Sequence, residues 1–392
     1  MNLAVGLVEK RDFVDVELLG RFRDAAGRTY TPGHHHVSTE LALTPVDADA
    51  SFAVDDVTIG VGFHWERKER QVFRGGLRII RREGLTVIND VSLEEYVTSV
   101  ISSEMSASCP LELLKAHAVV SRGWLCYPKL NPESVGPGNV SLRNGDEITR
   151  WYGREAHHDF DVCADDHCQR YQGITKAYAP SVSEAVRSTA GEVLQYAGKV
   201  CDARFYKCCG GMTDEYRTAW DDRDVPYLVA LRDTDENGRD YCDTKDKTLL
   251  AQILPGFDQE TQDFYRWTVT YSGEEIRDLV RSRLAEDVGT VTALEPLQRG
   301  PSGRLLRLRI QGSAKSLIVG KELEIRRVLS RSHLYSSAFE VRRDGTLFIL
   351  NGKGWGHGVG LCQIGAAVMA SRGKGYHEIL SHYYPGTTAM VS

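Results

Sequence analysis

Five glycines alternate strictly at 352, 354, 356, 358 and 360, inside Asn351-Gly-Lys-Gly-Trp-Gly-His-Gly-Val-Gly-Leu-Cys-Gln363. So many bare positions let the backbone approach another surface closely, and the fold must bring such a surface to them. The run is not a phosphate loop, because Gly-x4-Gly-Lys-Ser/Thr is absent and the helix after it opens with Cys362-Gln363. His357 and Gln363 are the polar groups this approach would present to a ligand. The alternative is a glycine hinge packed on a sheet, with His357 satisfied in the core.

The chain has ample material for a sizeable core, with 42% of its 392 residues hydrophobic and 26% charged, and two or three structural units are expected. A net charge of −6, from 48 basic and 54 acidic side chains, argues against a nucleic-acid partner, which needs clustered Lys and Arg. No stretch approaches the roughly 18 apolar residues of a membrane helix. The opening Met1-Asn-Leu-Ala-Val-Gly-Leu-Val8 turns charged at Glu9 and does not read as a secretory leader, so the compartment stays open between envelope and cytoplasm. Nine cysteines, clustered at Cys163/Cys168 and Cys201/Cys208/Cys209, suggest metal or buried thiols before a disulfide framework.

The fold class expected is α+β: a mixed, β-rich core with a central helix hairpin and an inserted α/β subdomain. Residues 1 to about 90 read as strands at 3–8, 13–18, 57–61 and 77–80. From Ser92 the period becomes helical, with Leu93, Tyr96, Val97, Val100 and Ile101 on one face and a Ser92/Glu95 capping box, as far as about Met105. A second helix opens after Pro110 and is expected to stop at Pro128. Residues 130–180 look loop-rich, and 181–232 like short strands and turns. At 233–300 an inserted piece has a strand ending at Tyr271 and a helix from Glu274 to Leu284; strands follow, then helices at 363–371 and 376–383. The domains expected are 1–75, a core of 76–232 with 301–392, and the 233–300 insert.

Glu104 lies about three helical turns after Leu93, so its carboxyl falls on the apolar face of the first helix. A frayed end reaching water is the bland alternative. Arg122, on the second helix with Leu111, Leu114 and Ala118, is its expected partner; burial would raise the carboxyl's pKa and the cation lower it. His157-His158-x4-Cys163-x3-His167-Cys168 offers thiolates and imidazoles at short loop spacings that suit a four-ligand, structural zinc. A His-rich loop with a Cys163 to Cys168 disulfide is the alternative there. His34-His35-His36, without nearby Cys, reads as a loop.

At these places the sequence resembles the stage II sporulation protein D family, the SpoIID/LytB domain, whose members include lytic transglycosylases of peptidoglycan. Asn89-Asp-Val-Ser-Leu-Glu-Glu-Tyr-Val-Thr-Ser-Val-Ile-Ser-Ser-Glu-Met105 with Pro110-Leu-Glu-Leu-Leu-Lys-Ala-His-Ala-Val-Val-Ser-Arg122 is similar to the family's helix pair. Cys168-Gln-Arg-Tyr-Gln-Gly173, Gly210-Gly211-x-Thr213 to Trp220, and Gly354 through Gln363 to Thr387 resemble its later blocks. The similarity covers about 76–392 and is weakest at 233–300. It implies Glu104 as catalytic acid, Arg122 as an essential arginine, Tyr227 as a tyrosine after the motif tryptophan, and a zinc loop of His157, Cys163, His167 and Cys168. Two residues beyond that tyrosine the family pattern has a lysine where Val229 stands here, with Arg232 or Lys207 as substitutes for the charge.

The implied mechanism needs one carboxyl. Glu104 would protonate the oxygen linking N-acetylmuramic acid to N-acetylglucosamine, then accept the C6 hydroxyl proton as that oxygen closes on C1 to a 1,6-anhydro product. Ordinary glycosidases use a carboxylate pair instead. Arg122, Tyr227, His357 and Gln363 would position the sugar, and no organic cofactor is required. The competing reading is a non-catalytic glycan-binding enhancer of a cell-wall amidase, which Val229 favours. A zinc hydrolase is disfavoured, since no His-Glu-x2-His or open three-ligand set is present. Partners implied are glycan strands and an amidase, in the cell envelope.

Overall fold

The structure, a computed structural model, describes residues 1–61, 66–136, 138–154, 157–254 and 264–391. Pro137 and the 255–263 part of the expected insert lie outside the described residues. The chain is mixed α+β and rich in strand, as its alternating and helical periods imply. Tertiary contacts divide it into two compact units: 1–122 with 156–192 and 391–392, and 123–155 with 193–390.

In the first unit the β-branched runs become two sheets. Seven strands lie in the order Val162–Cys163, Asn2–Arg11, Gly84–Ser92, Gly76–Arg82, Leu41–Pro45, Phe22–Arg23, Thr29–Tyr30; four more run Gly33–Val37, Val14–Leu19, Ser51–Ile59, Arg67–Arg74. Register places Leu3 opposite Val91 and Val87 opposite Ile79, so buried residues of one face meet. The three histidines at 34–36 belong to a strand rather than a loop. Gly33–Val37 pairs with Val14–Leu19, and His36 spends its Nδ1 on Asp15 at 2.8 Å. The missed signal is period two: His35 opposite Val16 and Val37 opposite Val14.

Helix α1 (Leu93–Ser103) starts where expected, because Ser92 caps it: Oγ accepts from the Glu95 N–H at 3.3 Å and donates to Glu95 Oε2 at 3.0 Å. Tyr96, Val97, Val100 and Ile101 are fully buried, as the 3.6-residue period requires. Helix α2 (Leu111–Leu130) runs past Pro128, contrary to the expected stop. A proline in the last turn forfeits only one ladder bond, and the Asn131 N–H still reaches the Tyr127 carbonyl at 2.9 Å. A helix at Pro180–Ser188, where turns were expected, has Pro180 in its first turn and buries Val182, Ala185 and Val186 at helical spacing.

The second unit builds its core on a five-stranded sheet, in the order Val140–Asn144, Glu147–Trp151, Ser316–Gly320, Leu305–Gly312, Val291–Arg299, and a three-stranded one, Arg266–Ser272, Leu347–Lys353, Phe339–Asp344. Ile276 and Val280 of the helix Gly273–Leu284 and Ile325 of Glu322–Val328 share that core with Leu308, Ile310 and Leu350. A Ser272/Glu275 capping box begins the first of these helices.

The glycine run meets the backbone of residues 204–209. Phe205 pairs in parallel with Leu361, and Cys208 and Trp355 exchange N–H bonds at 3.0 and 2.8 Å. Gly360 has φ +81°, and a Cβ there would stand 2.1 Å from the Arg204 carbonyl oxygen. Gly360→Val should therefore lower unfolding free energy by at least about 2 kcal/mol, combining backbone strain with a backbone clash. Urea denaturation monitored by circular dichroism measures it, and an unchanged midpoint would contradict the close approach.

Candidate functional site

Glu104 is the C-cap of α1: its N–H bonds the Val100 carbonyl at 2.9 Å and its side chain is half-buried. The Arg170 N–H donates to Glu104 Oε1 at 3.0 Å, fixing the carboxyl's direction. Arg170 itself is held by its Nε on Asp166. The segment around it docks on both helices. Gln172 N–H donates to Ser99 Oγ at 3.0 Å, the Tyr171 ring stacks on Tyr96 with centroids 5.2 Å apart, and Gln169 Nε2 reaches the Ser121 carbonyl at 3.5 Å. The aromatic contacts continue from Tyr171 to Phe73, from Phe73 to Phe52 and from Phe52 to Phe22, at 5.9, 5.6 and 6.3 Å, so the docking is anchored in the sheet core. The buried Tyr96 hydroxyl has no hydrogen-bond partner among the described residues.

Arg122 takes a different partner from the one expected. Its Nε and Nη2 lie on the two carboxylate oxygens of Glu94, at 3.0 and 2.7 Å, and its Nη1 donates to the Glu192 carbonyl at 2.7 Å. Its side chain is 1% exposed, while that of Glu94 is 37% exposed. The helical period gave the face of Arg122 correctly, but a face does not say which turn of the neighbouring helix supplies the carboxylate. Glu94, in the first turn of α1, was the missed residue; its forked geometry suits a guanidinium.

The four residues of the Cys/His loop converge. The donor atoms of His157, Cys163, His167 and Cys168 lie within 4.8 Å of one another and could hold a metal ion. Cys168 Sγ is 3.4 Å from both His157 Nε2 and His167 Nδ1, and Cys163 Sγ is 3.7 Å from His167 Nδ1. His158 is exposed and is not in the cluster, and neither cysteine is in a disulfide. Cys163 is placed by the strand Val162–Cys163, which pairs in parallel with Asn2–Arg11. Hydrogen bonding from Cys168, then from His157 and His167, holds the Cys163 thiol far below its usual range. Burial, helped by Asp166, pushes Asp165 up to about 6.

The remaining predicted residues belong to the second unit. Tyr227 is buried, and its hydroxyl accepts the Asp202 N–H at 2.9 Å; burial pushes the phenol upward. Asp202 binds Arg154 at 2.6 Å and Arg204 at 2.8 Å, and the Arg204 guanidinium lies over the Trp220 ring at 4.3 Å. His357 sits 5.0 Å from Trp220 and 5.3 Å from Tyr206, so Tyr227 and His357 join one network. His357 Nδ1 accepts the Val359 N–H at 3.1 Å and the ring also bonds the Phe205 backbone. Burial first, then Arg204 and Arg304, drives the imidazole's pKa well below its usual value, so the ring is neutral. Gln363 is 1% exposed, at the start of the helix Gln363–Ser371. Val229 presents its carbonyl to Thr213 Oγ1 at 3.0 Å.

Two family models match the chain: "Stage II sporulation protein" over residues 81–196 and "Domain of unknown function (DUF8618)" over 214–360. Stage II sporulation protein D of Bacillus amyloliquefaciens is 28% identical over 301 residues, 76% of this chain and 74% of that protein. An uncharacterised protein of Brachyspira hyodysenteriae (strain ATCC 49526 / WA1) is 31% identical over 307 residues, 77% of this chain and 67% of that one. The Amidase enhancer of Bacillus subtilis (strain 168) is 25% identical over 309 residues, 74% of this chain and 39% of its own length. The chain belongs to the stage II sporulation protein D family.

The Arg122 pair makes an asymmetric prediction. Glu94→Ala should cost about 3 kcal/mol, because it strands a buried guanidinium, whereas Arg122→Met should cost roughly 1 kcal/mol, because Glu94 can turn to water. Urea unfolding of the two variants measures both, and equal costs would contradict the burial difference.

Proposed function

We propose that the protein is a peptidoglycan lytic transglycosylase in which Glu104 is the general acid and then the general base. The observation that carries this reading is the half-buried Glu104 carboxyl at the end of α1, with Oε1 bound by the Arg170 N–H. The Glu104 carboxyl carries the transferable proton. That proton passes to the glycosidic oxygen as the C1–O bond breaks, and the carboxylate then takes the C6 hydroxyl proton as O6 bonds to C1. No water is consumed, so no second carboxylate is needed to activate one. Its substrate class places its work in the cell envelope.

Arg122 acts through Glu94 as a positioning residue for α1. Tyr227 and His357, each hydrogen-bonded to backbone of their own unit, and the buried Gln363 shape that unit's backbone. Zinc is the ion we assign to His157, Cys163, His167 and Cys168, since two thiolates and two imidazoles suit a borderline-soft d10 cation. With four protein ligands it would be structural, fixing the loop that carries Arg170. Cys168→Ser should remove one equivalent of zinc, measured by elemental analysis, and lower the thermal midpoint. Zinc content unchanged by that substitution would sink the assignment.

Likeness to the Amidase enhancer, together with Val229, supports a second reading: a glycan-binding stimulator of an amidase, without turnover. One experiment separates the two. Wild type and Glu104→Gln are incubated with peptide-free glycan strands and the products weighed for 1,6-anhydro ends. The transglycosylase reading expects anhydro product from wild type and a rate lower by roughly 10² to 10⁴ in the variant, with binding retained. Bound but intact strands with both proteins would favour the enhancer. Anhydro product from the variant at wild-type rate would remove Glu104 from the chemistry.

A further inference from the structure

Four side chains far apart in sequence meet in the interior of the second unit: Cys209, Asp233, Cys242 and Cys362. Their donor atoms lie within 4.8 Å of one another. Cys209 Sγ is 3.2 Å from Cys242 Sγ and 3.1 Å from Asp233 Oδ2. Asp233, Cys209 and Cys362 are 0% exposed, and Cys242 is 3% exposed. Three thiols and a carboxyl packed together are a poor way to fill a core, because the carboxylate is costly to bury against sulfurs that carry no positive charge.

The surroundings are arranged for anionic sulfur. The Cys209 N–H donates to Cys362 Sγ at 3.2 Å, the Gly211 N–H to Cys209 Sγ at 3.2 Å, and the Gly365 N–H to Cys362 Sγ at 3.3 Å. The Gly210 backbone bonds the Cys242 sulfur. Each of the three sulfurs therefore accepts a backbone amide. Gly210 and Gly211 make this possible with φ of +75° and +108°, turning the chain tightly around Cys209. Cys362 caps the nine-residue helix Gln363–Ser371, so its sulfur also faces the positive end of that helix.

Asp233 is oriented in the way a metal-binding carboxylate is. Its Oδ1 accepts Tyr383 OH at 2.8 Å and lies 3.0 Å from His382 Nε2, which leaves Oδ2 directed at the sulfurs. Such outer partners fix a carboxylate ligand and are part of a metal site's design. Gly365 is bare at this point: a Cβ there would stand 2.3 Å from both Asp233 Oδ2 and Tyr383 OH.

We propose that Cys209, Asp233, Cys242 and Cys362 bind a second zinc ion, in a closed, structural site distinct from the His157/Cys163/His167/Cys168 loop. Three thiolates and a carboxylate give four ligands, the number at which zinc is tetrahedral and holds no open position. The ion ties together the turn after residue 209, the 233–242 segment and the helix that follows the glycine run. This site does not depend on the transglycosylase reading.

Metal content of the full chain, purified without added zinc, tests it. Wild type is expected to hold two equivalents, and a Cys163→Ser/Cys168→Ser variant one. Cobalt loaded into that variant should show intense sulfur-to-metal charge-transfer absorption from three thiolates. Cys242→Ser risks the fold, so Asp233→Asn serves as the milder companion: it should release zinc to a chelator at least about tenfold faster, the loss a ligand or its support brings. A Cys163→Ser/Cys168→Ser protein that is folded by circular dichroism yet holds less than about a tenth of an equivalent would overturn the proposal. So would a Cys209 to Cys242 disulfide found by peptide mass under non-reducing conditions in wild type.

Discussion

A guanidinium with 1% of its surface exposed sets the terms for the helix pair. Arginine does not shed its proton, so burying Arg122 requires acceptors at fixed positions on every side of the fork. Glu94 fills two, and the Glu192 and Ala118 carbonyls fill others. Glu94 is held in turn by the Gly191 N–H at 3.3 Å. Because Glu94 sits in the first turn of α1 and Arg122 in the middle of α2, the pair fixes the rotation of α1 about its own axis. The direction of Glu104, about three turns further along, follows from that rotation.

The other end of α1 is fixed by the Cys/His loop. Cys168 closes the cluster, and two residues later the Arg170 backbone reaches Glu104. Tyr171 stacking on Tyr96 and Gln172 bonding to Ser99 leave the loop little freedom to slide along the helix. In the proposed mechanism the Glu104 carboxyl serves first as acid and then as base, and must meet two different oxygens without help from a second group. Misplacement by about 1 Å is costly in such chemistry, which is a physical reason to brace both ends of the helix.

Much of this architecture was legible because its signals are local. A Ser/Glu capping box and five apolar positions at helical spacing define α1, and four Cys and His residues within twelve positions define the loop. What was misread depended on partners distant in sequence. The face of Arg122 was right and its carboxylate was not, since Glu94 and Glu104 both project from α1. Pro128 is a stop signal by propensity, but near a helix end it forfeits too little to act as one. The Cys209/Asp233/Cys242/Cys362 cluster draws its members from three segments, and no spacing rule joins Cys242 to Cys362 across the strands of two sheets. Only the Cys208-Cys209 pair and the cysteine closing the glycine run hinted at it.

The glycine run shows how binding residues and core residues can look alike in sequence. His357, placed among five glycines, invited a ligand-facing role. Yet one ring nitrogen accepts the Val359 N–H, the ring also bonds the Phe205 backbone, and burial with two arginines nearby keeps it neutral. Tyr227 likewise uses its hydroxyl oxygen to accept the Asp202 N–H. Side chains committed in this way hold backbone in place more readily than they greet a polymer. Their substitution is then expected to act through the 204–209 segment and the run that packs on it, where a Cβ on Gly358 would stand 2.5 Å from the Arg304 guanidinium carbon. Close packing there leaves no room for a side chain, and the alternating glycines are the sequence's answer to that constraint.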